Sequence, residues 1–265
     1  KDKYMQQIHK SEELMKSLQE RISNEEVSND FELMQILKEI EKYSSGLEKN
    51  HLKALAYSLN NDIDKASHYF ELSLQVSNID YARNYLAVIN QRASNIKYMH
   101  LLHRFADEYE SPTFSYLAYQ SCLYIAELSK AEKFMAKVIK LSDEDKRNGY
   151  LNEFKNARHA LMKYLKLSGL EEKNLMTLAN LIIAILDEWN IQIVAINYTN
   201  TSAYDEQSNL FMMTAECDDV EVLSDMNIEL AYRLTEYDEF IGKNFSVFIG
   251  GVDDVSKLKE RLKWL

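Results

Sequence analysis

His51–Asn78 reads HLKALAYSLNNDIDKASHYFELSLQVSN, and its spacing decides the fold. Ala54 and Tyr57 lie on a first amphipathic segment, and Ala66, Phe70 and Ser73 on a second, with the turn-forming run NNDID between them. Small residues let two helices approach closely, and aromatics fill the space that leaves. The stretch therefore predicts a helical hairpin made to stack on another. Pro112–Asp143 repeats the arrangement more loosely, with Tyr119 and Cys122 on its first helix and Ala131, Met135 and Val138 on its second.

Working outward, Tyr4–Ile22 and Phe31–Tyr43 carry apolar residues at helical spacing on either side of SNEEVSND, which supplies capping residues. Asp80–Tyr109 reads as a further pair, broken near Ser94–Asn95. Ser111-Pro112 is a good helix start, since Pro tolerates the first turn and Ser can cap it. SDED then opens a long helix, Asp143–Leu167, with its acids against the positive helix terminus and Gly169 to stop it. Glu171–Trp189 follows as the most apolar helix. Beyond it the period changes. Ile191–Tyr198, Leu210–Glu216 and Asn244–Ile249 are short and rich in Val, Ile, Phe and Met, which predicts strands, with helices over Val220–Tyr237 and Asp253–Trp264. The expected architecture is mainly α: a solenoid of helical hairpins over 1–168, then a small acidic α/β domain of about three strands over 169–265.

The offsets of Ala54, Tyr57, Ala66, Phe70 and Ser73 resemble those of a tetratricopeptide repeat, which takes a small residue and Tyr on its first helix, then Ala, an aromatic and a small residue on its second. In the third pair Met99 and His103 stand where that family has a small residue and an aromatic, a departure from regular stacking. The resemblance covers the N-terminal part alone. It implies a concave groove that grips a protein or peptide, lined by outward positions of each first helix. Here those are His51 and Ser58 in the first copy, and Tyr116, Gln120 and Tyr124 in the second. The competing reading has these tyrosines packed between helices.

Composition sets the other bounds. A chain of 265 residues, 46% hydrophobic and 28% charged, makes one large domain or two ordinary ones with a sizeable core. One Pro and six Gly favour long helices over a loop-rich β protein. Cys122 and Cys217 form no CxxC pair, which points to a reducing compartment, and cytoplasmic residence is the expectation. Leu175–Leu186 is interrupted by Thr177 and Asn180 and falls short of the roughly 20 apolar residues a membrane span needs, so no membrane partner is expected.

The net charge of −11 is uneven, because 200–240 holds eleven acidic residues against Arg233 alone. Conversely 81–106 has no Asp or Glu but carries Arg83, Arg92, Lys97 and Arg104. These blocks read either as solvated faces or as surfaces that dock a charged partner, in the same or a neighbouring chain. Four basic residues without a nucleic-acid motif are a weak footprint for nucleic acid.

Chemistry is sparse. Glu216, Asp218, Asp219, Glu221 and Asp225 cluster where a strand gives way to a helix, a usual place for Mg²⁺ ligands, although Asp218 and Asp219 also suit a helix cap. The run Phe248-Ile249-Gly250-Gly251 before Asp253 resembles a phosphate cradle, but the carboxylates of Asp253 and Asp254 would repel phosphate and a tight turn is favoured. His100 and His103 share a helix face without a third metal ligand at diagnostic spacing. No cofactor is expected. The leading expectation is a protein-binding scaffold or regulator, a possible homo-oligomer, whose acidic domain supplies a second contact. The rivals are a metal-dependent hydrolase or nuclease centred on Glu216, Asp218, Asp219 and Asp225, and a regulatory binder that imitates nucleic acid.

Overall fold

The structure, a computed structural model, describes residues 2–203 and 206–262, and the chain divides into two compact units, 1–93 and 94–265. The first consists of five helices: α1 (Asp2–Ser23), α2 (Asp30–Tyr43), α3 (Gly46–Leu59), α4 (Ile63–Ser73) and α5 (Ile79–Arg92). The starts of α2, α4 and α5 have a local chemical cause. Asn29 accepts from the Glu32 N–H, Asp62 from the Lys65 N–H, and Asn78 from the N–H groups of Asp80 and Tyr81. Between α3 and α4, Asn61 takes a left-handed φ of 62°, which Asn tolerates better than most residues.

The α3–α4 hairpin closes as its small residues require. Ala54 and Ala66 are fully buried, and Phe70 fills the adjoining space, its ring 4.6 Å from that of Tyr85 on α5 at 15°. Ala66→Leu is therefore expected to overpack the contact and cost about 1–3 kcal/mol, read as a lowered melting temperature. An unchanged melting temperature would show that the two helices do not need a small residue there.

The second unit begins with α6 (Asn95–Glu108), α7 (Pro112–Tyr124), α8 (Leu128–Leu141), α9 (Glu144–Ser168) and α10 (Glu172–Glu188). It continues through β1 (Ile193–Ala203), β2 (Glu206–Ala215), α11 (Val220–Leu234), a 3-10 turn at Asp238–Phe240, β3 (Ser246–Gly250) and α12 (Val255–Leu262). The elements fall where the periodicity places them, with β1 and β2 longer than expected. Trp264 lies outside the described residues. Among those described, no helix is long and apolar enough to cross a membrane.

The sheet order is β1-β2-β3. β1 and β2 are antiparallel, with Tyr198 opposite Phe211, and β2 and β3 are parallel, with Met213 opposite Ile249. A parallel pair needs a crossover, and α11 provides it. Along β2, Asn209, Phe211, Met213 and Ala215 are buried, while Leu210, Met212 and Thr214 between them are partly exposed; one face of the sheet is therefore covered. Leu161 and Tyr164 of α9 share that core with Leu178, Ile182 and Leu186 of α10. The expected boundary at 168/169 lies within this unit, at the left-handed Gly169 (φ 72°) between these two helices.

On each edge of the sheet an asparagine side chain takes up one backbone N–H and one carbonyl. The Asn95 side chain accepts from the Ile193 N–H at 2.9 Å and donates to the Ile191 carbonyl at 2.9 Å. On the far edge, Asn227 of α11 accepts from the Ile249 N–H at 2.9 Å and donates to the Ile249 carbonyl at 2.8 Å. Each amide reproduces the hydrogen bonds of a neighbouring strand, and so removes part of the exposed ladder that invites edge-to-edge pairing. The glycine turn after β3 is a packing device. A Cβ on Gly251 would overlap the carbonyl oxygen of Cys217, which accepts from the Val252 N–H at 2.9 Å.

Candidate functional site

The two groove residues expected on the first hairpin point inward. His51 is fully buried, with its ring stacked 3.8 Å from that of Tyr81 and its Nε2 3.0 Å from the Asn84 amide. Burial lowers its pKa to about 4, so the ring is neutral at pH 7. Ser58, also buried, donates from Oγ to the Ala54 carbonyl at 2.7 Å. The reason is position: α1, α2 and α4 all pack on α3, which leaves it little outward face.

On the second hairpin the expected face is divided. Tyr124 donates to the Val194 carbonyl at 3.3 Å and lies under β1, and Gln120 is half-buried one turn before it. Tyr116 donates to the Glu153 carboxylate of α9, with its oxygen 3.0 and 3.1 Å from the two carboxylate oxygens. Burial, and then the charge of Glu153, push its hydroxyl pKa up to about 12, so it stays a donor at neutral pH. What remains open is the near end of α7. There a cleft of about 250 Å³ is lined by Pro112 and Tyr116 of α7, Leu141 at the end of α8, Asp143, and Lys146 and Tyr150 of α9.

Local chemistry fixes the cleft walls. Ser111 caps α7 by accepting from the Phe114 N–H at 3.2 Å, with Pro112 in the first turn. Ser142 adopts an extended backbone that ends α8, and its carbonyl accepts from Arg147 Nε at 3.1 Å. The rings of Tyr116 and Tyr150 stand 5.5 Å apart, centre to centre, and Tyr119 packs behind Tyr116 at 5.9 Å. A packed pair of tyrosine rings, a proline and a lysine thus lie together on an open surface.

The basic residues are engaged locally. Arg83 pairs with Asp80 at 2.9 Å, and Arg92 donates to the Glu26 carbonyl at 2.9 Å, its guanidinium pKa lowered by burial. They stand nine residues apart along α5, about 13 Å. In the second unit Lys97 donates its backbone N–H to Ser94 Oγ at 3.1 Å, and Arg104 pairs with Glu108 at 3.7 Å.

The acidic cluster is largely structural. Asp219 caps α11 by accepting from the N–H groups of Glu221 at 2.9 Å and Val222 at 3.2 Å, and Asp218 accepts from the Val255 N–H at 3.1 Å where α12 begins. Asp225 is exposed nearly two turns further along α11, and Glu216 is half-buried at the end of β2. Among the described residues, no three His, Cys, Asp or Glu side chains are grouped as metal ligands would be.

Sequence reasoning missed one pairing. His103 Nε2 lies 2.8 Å from Ser121 Oγ and 3.4 Å from Cys122 Sγ, the reach of a base and a nucleophile. Cys122 is nevertheless fully buried, and burial pushes its thiol up to about 12 while lowering the pKa of His103. A protonated thiol without access to substrate is a packing group, and a separation of 19 positions gives no local signal. Comparison with protein-family models, curated proteins and solved structures finds no match to this chain.

Proposed function

We propose that the protein is a non-enzymatic binding protein that holds a peptide segment of another protein in the cleft between α7, α8 and α9. The observation that carries this reading is the cleft beside the Tyr116 and Tyr150 rings, which pack on each other 5.5 Å apart at a 53° tilt, with Pro112 and Lys146 in its lining. The rings offer apolar contact at low entropic cost, and Lys146 a charge for a carboxylate on the peptide. The tetratricopeptide-like offsets of Ala54, Ala66 and Phe70 support a framework whose role is to present such a surface, but the binding face is the end of α7 rather than a groove through His51 and Ser58.

The test is to pan a random peptide library on the full chain and measure the selected peptides against variants. Tyr150→Ala should weaken them at least tenfold, about 1.4 kcal/mol, while costing the fold no more than about 1 kcal/mol for its lost ring contact with Tyr116, so that the chain stays folded at the assay temperature. Equal binding to wild type and Tyr150→Ala, or a selection that yields no binder, would defeat the reading.

A further inference from the structure

α8 reads LSKAEKFMAKVIKL, and its lysines Lys130, Lys133, Lys137 and Lys140 are spaced by three, four and three residues. On a helix of 3.6 residues per turn they fall within an arc of about 80°, and Glu132, the one acid of α8, projects elsewhere. Ala131, Phe134, Met135 and Val138 bury the other side of the helix. Lys130, Lys133 and Lys140 are exposed, and Lys137 is half-buried. Among the described residues two carboxylates reach this stripe. Glu127 pairs with Lys130 at 2.7 Å, and Asp107 of α6 pairs with Lys133 at 3.0 Å and with Lys137. Four cations against two anions leave a surplus of two positive charges, on a chain whose net charge is −11.

The stripe runs into the cleft. Lys140 immediately precedes Leu141, which lines the cleft, and Asp107, which holds Lys133 and Lys137, lies five residues before Pro112 of the same lining. Inside the cleft Lys146 and Asp143 balance one another, so the unbalanced charge is that of α8. From Lys140 back to Lys130 is about 15 Å of helix, the reach of roughly five residues of extended chain.

We propose, resting on the peptide-binding role of the cleft, that the segment it takes is acidic. An apolar or aromatic side chain of the segment sits beside Tyr116 and Tyr150, and Asp or Glu residues within about five positions of it lie over Lys133, Lys137 and Lys140. Exposed ion pairs contribute little singly, so the contact needs several of them along one strip, which the spacing of these lysines supplies.

Peptides selected from a random library on the full chain at about 0.1 M salt should be enriched in Asp and Glu on one side of an apolar or aromatic anchor. Lys133→Gln with Lys140→Gln, both exposed, should weaken such a peptide about threefold to tenfold, with an unchanged circular dichroism spectrum. Once the peptide's own acids are changed to Gln, the same two substitutions should have no further effect, and this cycle separates a direct charge contact from a disturbed cleft. Wild-type affinity should fall between about 0.05 and 0.5 M salt more steeply than that of the variant. Tyr150→Ala tests the cleft independently, because it should weaken acidic and Gln-substituted peptides alike. If it does so while the selected peptides carry no acidic excess, or the cycle shows no coupling, the acidic partner is overturned and the cleft stands. If Tyr150→Ala has no effect, or the selection yields no binder, both are overturned. A single-stranded oligonucleotide that binds as tightly as the peptides at the same salt would give the stripe to polyanions in general, and the acidic peptide would again be overturned.

Discussion

Asn95→Leu is expected to destabilise the second unit by about 3 kcal/mol or more, although it keeps the side-chain volume close to that of the original. Asn95 is 4% exposed, and its amide makes three bonds: from the Ile193 N–H, to the Ile191 carbonyl, and to Asp187 Oδ1 at 2.7 Å. The same Asp187 carboxylate accepts from the backbone N–H of Asn95 at 2.6 Å and of Ile96 at 3.4 Å, satisfying the first turn of α6. Leucine leaves a strand N–H and a carbonyl without partners and takes one donor from a carboxylate, and each such group costs about 1–3 kcal/mol where water cannot replace it. Asn95→Asp should be at least as damaging, since it keeps the acceptor for Ile193 but sets a second carboxylate against Asp187. Urea denaturation followed by circular dichroism measures both. A loss below about 1 kcal/mol in Asn95→Leu would mean that water takes over the strand edge.

Acid is expected to loosen the first unit through His51, with a size set by its burial. The folded ring has a pKa of about 4 against about 6.5 in the unfolded chain, and no carboxylate touches it: its neighbours are Tyr81, Phe70 and Asn84. The unfolded state therefore binds the proton first. Stability is complete above about pH 6.5, falls by about 1.4 kcal/mol per pH unit as the pH drops toward 4, and levels off below. Between pH 7 and pH 5 the loss due to this ring is about 2 kcal/mol. Amide exchange of α3 and α5 at the two pH values, in wild type and in His51→Gln, isolates it. Glutamine cannot titrate, so the variant should lose about 2 kcal/mol less over that interval, whatever its stability at pH 7. An identical pH response in both proteins would show that the ring is not held neutral.

Which parts of this molecule are local and which are not explains what its sequence alone determined. Helix starts are local events, so the cap-forming residues at Ser111 and Asp219 could be named in advance and do cap their helices. The close approach of α3 and α4 depends on residues a dozen positions apart, and Ala54 and Ala66 are buried as their spacing implies. The strands were underestimated for a physical reason. The polar run NTSAYDEQS, 200–208, looks like a turn, yet Asn200 lies opposite Asn209 and Thr201 opposite Ser208, because an antiparallel ladder needs only the partner's backbone.

The site depended on more distant contacts. Helical spacing placed Tyr116 and Tyr124 on one face of α7, but only the tertiary structure shows that β1, seventy residues later, covers Tyr124, while α9 leaves Tyr116 at the edge of an open cleft. Helices on several sides likewise turned His51 and Ser58 from expected groove residues into core. Asn95 with Asp187, and Asn227 with Ile249, carry no local signature, because an amide closes a strand edge by its position in space. Periodicity assigns a residue to a face of its own helix; which later segment arrives to cover that face is settled by packing over the whole unit.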